Sequence, residues 1–243
     1  MKIIGKKLVS LLLGVCLLFG GTISVSAIET KAGGTFHISV VHTNDIHGNI
    51  LADDENQVLG LARVQTFFER QEKKNDLTFL LDAGDYFHGQ SFATVDRGAA
   101  AAELMGACGY TAMTVGNHDW NYGKDRLKEL ESLVKEEKFM FAMLAGNVIN
   151  PLENNTFFKN KTYTVSLEKS YGKIKVAIFG VFDPRLVSAT APENTDGLWF
   201  NDMQKYAQEQ AARFKEQGYQ LVICLTHCID PVALASSVDN VDL

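Results

Sequence analysis

The sequence contains little cysteine, little proline and no excess of basic residues. Its 243 residues include four cysteines and four prolines, and 23 Lys and Arg against 29 Asp and Glu give a net charge of −6. Proteins that bind along a nucleic-acid backbone need a basic face, which an acidic chain of this kind does not supply. We therefore expect no nucleic-acid duplex as a partner.

One long apolar run stands at the N-terminus. Residues 8–19 follow three lysines and precede Val25-Ser26-Ala27, which has the small residues of a cleavage site. We predict a signal peptide over residues 1–27, cleaved after Ala27, and a protein that is secreted to the cell envelope or the extracellular space. The alternative is a retained anchor, but the run is shorter than the ~20 residues that span a bilayer. We expect no stable membrane span after cleavage.

Cysteine is too scarce for a disulfide framework. Cys108, Cys224 and Cys228 remain after the predicted cleavage, and an odd number leaves at least one thiol without a partner in the chain. Cys224 and Cys228 flank His227, which is a spacing that also invites a zinc site. Because no partner pair of ligands stands elsewhere in the sequence, we interpret these thiols as small buried side chains.

Beyond the signal, strand-like and helix-like periodicities alternate. Apolar, β-branched runs predict strands over residues 36–41, 77–82, 111–115, 139–145 and 221–226. Apolar residues three or four apart predict helices over residues 61–74, 99–108, 124–138 and 202–217. Strands that alternate with helices of this length predict an α/β domain with much parallel pairing.

Two further segments modify this plan. Residues 162–167 and 173–182 predict an antiparallel hairpin that extends the sheet, so the architecture is mixed. Residues 183–198 contain two of the four prolines and show no periodicity, which predicts a long surface loop near the site. We expect one domain over residues 36–243, preceded by a short polar segment at 28–35.

Polar residues follow four of the predicted strands where each strand ends. These motifs are Asn44-Asp45-Ile46-His47-Gly48, Gly84-Asp85-Tyr86, Gly116-Asn117-His118-Asp119 and Thr226-His227. The carboxyl ends of parallel strands meet at one edge of a sheet, so these side chains should converge. Carboxylate, amide and imidazole groups suit divalent zinc, manganese, iron or cobalt. The sequence thus predicts two divalent metal ions at this edge and the hydrolysis of a phosphate ester.

Each motif offers a different kind of donor. Asp45 and His47 are two residues apart, so in an extended strand end both would point to one side and chelate one ion. Asp85 can bridge two ions with its two oxygens. Asn117 adds a neutral oxygen, which leaves its neighbour His118 free to face the substrate. Taken alone, the first and third motifs also fit ordinary polar turns.

Together the four motifs resemble those of the calcineurin-like metallophosphoesterases, and within them the secreted bacterial 5'-nucleotidase and UDP-sugar hydrolase family. The resemblance covers residues 36–243 and implies a layered α/β/β/α sandwich with mixed sheets. The metal ligands that it implies are Asp45, His47, Asp85, Asn117 and His227. Asp45 and His47 would hold one ion, Asn117 and His227 the other, and Asp85 would bridge them.

The same resemblance implies a catalytic dyad of His118 and Asp119, in which the carboxylate holds the imidazole. Asn117 and His118 would contact the substrate, a nucleotide or related phosphate ester that hydroxide activated by the metals attacks. Arg63 is assigned a structural role and Asn147 a place along the crevice. His88 follows Asp85 closely enough to meet a substrate, but we favour its interpretation as a plain loop residue.

Two departures from the family leave other hypotheses open. The family continues with a Gly-Gly-His-x-His-like segment, of which residues 241–243 resemble the start, and with a C-terminal substrate-binding domain. On this reading the catalytic domain is incomplete at its C-terminal end. The alternative function is therefore an incomplete fragment or a binding module without catalysis. A narrower alternative keeps the fold but changes the ester to a cyclic nucleotide or a sulfur-containing substrate.

Overall fold

A computed structural model describes residues 12–14, 23–29, 34–134 and 140–243 of the chain. Most of the predicted signal peptide, with its three lysines, lies outside the described residues. So do the last residues of the helix predicted over 124–138 and the first residue of the strand predicted over 139–145. Among the described residues, no helix has the length and apolar character needed to cross a bilayer.

Six strands form the main sheet, in the order in which they occur along the chain. They are β1 (Leu12–Gly14), β2 (Ile23–Glu29), β3 (Thr35–Thr43), β4 (Leu77–Asp82), β5 (Ala112–Thr114) and β6 (Ala142–Leu144). β3 to β6 are parallel neighbours, whereas β2 pairs antiparallel with β1 and β3. β2 crosses the boundary between the predicted signal peptide and the segment 28–35. Cleavage after Ala27 stays a prediction.

Helices connect the parallel strands and cover the outer face of this sheet. They are α1 (Leu61–Glu72), α2 (Ser91–Thr94), α3 (Ala99–Ala107) and α4 (Lys124–Leu133). The apolar stripe predicted for α1 is buried through Leu61, Val64 and Phe68. These side chains join one core cluster with residues of α3, α4 and the sheet. The helices predicted from residues 61, 99 and 124 begin at those residues.

A second sheet has three strands, ordered β12 (Leu221–His227), β10 (Gly172–Phe182) and β9 (Thr162–Lys169). β9 and β10 form the predicted antiparallel hairpin, and β10 also pairs parallel with β12. The expectation that this hairpin extends the first sheet is wrong. The reason is that β10 presents an apolar face, not its backbone edge, to the first sheet, where Ile174, Val176 and Ile178 are buried.

The two sheets enclose one apolar layer and carry helices on their outer sides. Phe36, Ile38 and Val40 of β3 share this layer with the buried face of β10. α5 (Met203–Glu216) and α6 (Pro231–Ser237) cover the second sheet, and the carboxylate of Asp202 caps α5 by accepting the Lys205 N–H. The layers therefore follow the order α/β/β/α, which confirms the predicted fold class.

Short elements follow β6 and β10 along the chain. β7 (Val148–Asn150), β8 (Asn155–Thr156) and β11 (Trp199–Phe200) form a small antiparallel sheet. The loop predicted over residues 183–198 contains 3₁₀ turns at Pro184–Ala189 and Pro192–Asn194. These turns place Thr190 next to the polar residues that follow β5.

Gly180 of β10 lies directly against Leu144 of β6 in the other sheet. A Cβ added there would lie 2.5 Å from the Leu144 carbonyl oxygen and 2.7 Å from the Leu144 Cβ. We predict that Gly180→Ala lowers the free energy of unfolding by about 1–3 kcal/mol, as overpacking of a dense core does. Urea denaturation measures this change. Ser166→Ala, at an exposed position of β9, should change it by less than about 0.5 kcal/mol; equal stability of the two variants would contradict this packing.

Candidate metal centre

The loops that follow β3 and β4 are joined by their backbones. The Asp45 N–H donates to the Gly84 carbonyl and the His47 N–H to the Asp85 carbonyl, each at 3.0 Å. His227, the last residue of β12, reaches the same place from the second sheet and contacts Ala83. Ends of strands from both sheets thus meet in one crevice.

Three of the predicted ligands have a left-handed backbone. The φ angles of Asp45, His47 and Asp85 are 54°, 49° and 59°. The expectation that Asp45 and His47 lie in an extended strand end is wrong, because β3 stops at Thr43 and a turn follows. Left-handed φ is disfavoured for residues that carry a Cβ, and such strain concentrates at functional sites. Despite the turn, His47 Nε2 lies 3.5 Å from Asp45 Oδ1.

Asp85 is the centre of the cluster. Its side chain is 4% exposed, and its Oδ2 lies 3.5 Å from His227 Nε2 and 3.7 Å from His47 Nε2. Its Oδ1 accepts the His118 N–H at 2.7 Å. Two groups of potential metal ligands share Asp85. They are Asp45, Asp85 and His227 in one group, and His47, Asp85 and His118 in the other, with the ligand atoms of each group within 4.8 Å of one another.

Backbone carbonyls orient two of the imidazoles. His47 Nδ1 lies 2.9 Å from the His88 carbonyl oxygen, and His227 Nδ1 lies 2.8 Å from that of Ala83. A donor at Nδ1 leaves the lone pair on Nε2, and the Nε2 atoms are those that face Asp85. Metal-binding histidines are commonly held in this way. The residues present therefore fit divalent cations.

Two glycines make space for this arrangement. A Cβ on Gly116 would lie 2.1 Å from Asp85 Oδ1. A Cβ on Gly84, whose φ is 103°, would lie 2.5 Å from the Gly116 nitrogen and 2.9 Å from His227 Nδ1. The glycines that precede Asp85 and Asn117 are thus required by close packing around the carboxylate.

Asp119 is a buried carboxylate that joins two loops. It accepts four backbone hydrogen bonds at 2.8–2.9 Å, from the N–H groups of Asp85, Tyr86, Phe87 and Gly116. The sequence reasoning expected Asp119 to hold the imidazole of His118, and the structure differs. Both carboxylate oxygens are used by the backbone, because Asp119 points inward from the 3₁₀ turn His118–Tyr122 while its neighbour His118 points to the crevice.

The Asn121 side chain lies within hydrogen-bond distance of the His118 imidazole. Its Nδ2 lies 3.0 Å from His118 Nδ1. Sequence reasoning missed this residue, although a spacing of three residues in a 3₁₀ turn places two side chains on one face. Asn117 lies between Gly116 and His118, whose N–H groups bond to Asp119 and Asp85. Its role as a ligand stays a prediction.

The remaining candidates lie elsewhere. Arg63 forms an exposed ion pair with Asp54, which is consistent with a structural role. Asn147 was expected along the crevice, but it is fully buried and bonds to the backbone of Phe182 and Asn201, because it joins the ends of neighbouring elements. The cysteines among the described residues are free thiols and belong to neither ligand group.

The clustered carboxylates and imidazoles shift one another's pKa values. Burial and the neighbouring Asp119 carboxylate raise the pKa of Asp85 to about 7. The hydrogen bond with Asp45 raises the pKa of His47 to about 9. Burial, followed by the nearby His47 and His88, lowers the pKa of His118. Protons thus accumulate around Asp85, where cations would offset the same negative charge.

The family model described as calcineurin-like phosphoesterase matches residues 38–238. The chain belongs to this family. This membership confirms the resemblance inferred from the four motifs, and it implies divalent metal ions, for which the two ligand groups are the candidates.

Named relatives agree with this assignment. Bovine (Bos taurus) 5'-nucleotidase is 30% identical over 233 residues, which are 91% of this chain and 39% of that protein. The trifunctional nucleotide phosphoesterase protein YfkN of Bacillus subtilis is 25% identical over 87% of this chain and 16% of that protein. The chain thus spans well under two thirds of either relative.

Solved structures support the fold. The crystal structure of the calcineurin-like phosphoesterase YfkN from Bacillus subtilis matches with a TM-score of 0.67 and 24% identity, over 85% of this chain and 70% of that one. At this identity the match supports the layered architecture alone.

Asp119→Asn tests the hydrogen bonds by which Asp119 connects the loops after β4 and β5. The Asn side chain has one accepting oxygen in place of two. The backbone N–H groups that bonded to the other oxygen would face the NH₂ group of Asn and lose their acceptor. We predict a loss of at least about 2 kcal/mol in the free energy of unfolding. Chemical denaturation measures it, with Asp125→Asn on the exposed side of α4 as a control that should change by less than about 1 kcal/mol. An Asp119→Asn protein as stable as this control would show that the Asp119 carboxylate does not hold the two loops together.

Proposed function

We propose that this chain is the catalytic domain of a secreted phosphoesterase that hydrolyses the phosphate esters of nucleotides with two divalent metal ions. The observation that carries the proposal is the position of Asp85, a buried carboxylate shared by two groups of ligand atoms. A carboxylate that bridges two ions sets them ~3.5–4 Å apart, which is the separation used in in-line displacement at phosphorus.

The ligand set combines the motifs of both sheets. Asp45, His47, Asp85, Asn117 and His227 would hold the ions. The ions would supply electrophilic stabilisation of the phosphoryl group and lower the pKa of nearby water. Around Asp85 the structure groups Asp45 with His227 and His47 with His118. In our proposal Asp45 and His47 hold one ion, Asn117 and His227 hold the other, and Asp85 bridges them. His118 lies beside this centre but is assigned to the substrate.

His118 would act on the substrate. Its main chain is fixed by Asp85 and its Nδ1 by Asn121, so the ring has a defined direction beside the centre. A neutral imidazole held in this way can donate a hydrogen bond to a phosphoryl oxygen or to the leaving oxygen. Asp119 supports it indirectly, by holding the two loops together.

The substrate class and the localisation rest on different observations. The names 5'-nucleotidase and nucleotide phosphoesterase belong to relatives of this chain and support nucleotides as substrates. The basic and apolar start of the sequence, followed by Val25-Ser26-Ala27, supports export.

Asp85→Ala tests the proposal most simply. We predict that the purified chain binds two equivalents of metal and turns over an aryl phosphate and nucleoside monophosphates. Asp85→Ala should lose at least one equivalent and lower kcat by at least about 1000-fold, because the bridging charge is gone. Asp125→Ala is the matched control and should match the unsubstituted chain. Elemental analysis and phosphate release measure both properties.

Two results would contradict the proposal. One is turnover that survives Asp85→Ala. The other is tight metal binding by the unsubstituted chain without turnover of any phosphate ester, which would favour a binding module.

Metal affinity should depend on pH. In the absence of metal the pKa of His47 is raised to about 9, so the proton stays on the ring up to that pH and an ion must displace it. We predict that apparent metal affinity rises by up to about tenfold per pH unit from pH 7 to 9 and then levels off. Competition with a chelator measures this dependence, and an affinity independent of pH in that interval would disprove it.

A further inference from the structure

Two histidines lie side by side next to the metal centre, and only His118 has been assigned a role. The rings of His88 and His118 are stacked, with centroids 5.7 Å apart and an interplanar angle of 9°. Both residues are half-buried. His118 also packs edge to face on the His47 ring, at a centroid distance of 5.0 Å. The stacked pair therefore borders the centre directly.

One side-chain amide contacts both rings. Asn121 Nδ2 lies 3.0 Å from His118 Nδ1 and 3.3 Å from His88 Nδ1. An amide nitrogen carries two hydrogens and can only donate, so each Nδ1 accepts. In a neutral imidazole that accepts at Nδ1, the proton is on Nε2. Asn121 thus assigns the same tautomer to both rings.

The other end of the amide holds it in this orientation. The Thr190 hydroxyl donates to Asn121 Oδ1 at 3.0 Å, and Asn194 Nδ2 donates to Thr190 Oγ1 at 2.9 Å. A hydroxyl has one hydrogen, so a bond accepted from Asn194 directs that hydrogen to Asn121. Each group in this chain therefore donates to the next: Asn194 to Thr190, Thr190 to Asn121, and Asn121 to the two imidazoles. A flipped Asn121 amide would require the opposite tautomer at both rings.

This arrangement leaves the Nε2 atoms as the outward donors. Within the described part of the chain, the structure gives neither Nε2 a hydrogen bond from or to protein. The main chain of His88 is held as well, since its carbonyl oxygen lies 2.9 Å from His47 Nδ1. His88 is thus held at its main-chain carbonyl and at the side-chain Nδ1, which leaves its Nε2–H for a substrate.

We propose that His88 is a second substrate-binding residue, which donates an Nε2–H hydrogen bond to an oxygen of the phosphate ester next to the one that His118 contacts. Asn121 is the positioning residue that sets the tautomer of both rings. This inference rests on the proposed function. A phosphate ester places several acceptor oxygens on one phosphorus, so two adjacent N–H donors match it.

Substitutions of His88 test its contact with the substrate. His88→Gln keeps an N–H near the place of Nε2, His88→Asn keeps one only near Nδ1, and His88→Ala keeps none. We expect His88→Ala and His88→Asn to lower kcat/KM for a nucleoside monophosphate by about 10- to 100-fold, as the loss of a hydrogen bond to a charged group does. His88→Gln should recover most of this loss.

The control is His37→Ala, at an exposed position of β3, which should keep the unsubstituted kcat/KM. Metal content measured on each variant should stay at the unsubstituted value. Unchanged kcat/KM in His88→Ala would overturn the proposal, and so would a His88→Gln variant as impaired as His88→Ala.

Nitrogen NMR of the full chain, labelled at histidine, tests Asn121 independently of activity. We expect His88 and His118 to show the Nε2–H tautomer, with assignments made from His88→Gln and His118→Gln. Asn121→Ala should produce mixed tautomers at both rings and lower kcat without loss of metal. Nδ1–H tautomers in the unsubstituted chain, or an Asn121→Ala spectrum identical to it, would overturn the positioning role.

Asp85→Ala distinguishes failure of the proposed function from failure of the proposed role of His88. If this variant keeps its turnover, the proposed function fails and the role of His88 fails with it. If it abolishes turnover while His88→Ala is fully active, only the role of His88 fails.

Discussion

The carboxylate of Asp119 is the interaction on which the rest of the site depends. It accepts backbone N–H groups from the loops after β4 and β5, and these loops carry Asp85 and His118. A buried anion that receives four hydrogen bonds fixes the relative position of two strand ends without blocking the crevice. The side chains that would hold metal can therefore remain close together, although several of them carry charge.

The fold explains why the ligands come from two sheets. Asp45, His47 and Asp85 follow strands of the first sheet, whereas His227 ends a strand of the second. The apolar layer between the sheets brings these ends together, and Gly180 keeps the layer thin. Packing between the two sheets thus contributes to the spacing between the His227 imidazole and the Asp85 carboxylate.

Much of this could be predicted from the sequence, and the failures have two physical causes. Apolar runs that end in Asp, His or Asn located β3, β4, β5 and β12 and their convergence, since hydrophobic period and strand-end chemistry are local signals. The partner of His118, the backbone contacts of Asp119 and the sheet of the β9–β10 hairpin were missed. Each depends on contacts between segments distant in sequence or on a turn whose φ angles the sequence did not reveal.

The central claim is that Asp85 is shared by two metal ions. A crystal structure of the metal-loaded chain, with anomalous scattering recorded at the absorption edge of the metal, measures this directly. We predict two anomalous peaks about 3.5–4 Å apart, one on each side of the Asp85 carboxylate. A single peak, or peaks that Asp85 does not contact, would contradict it.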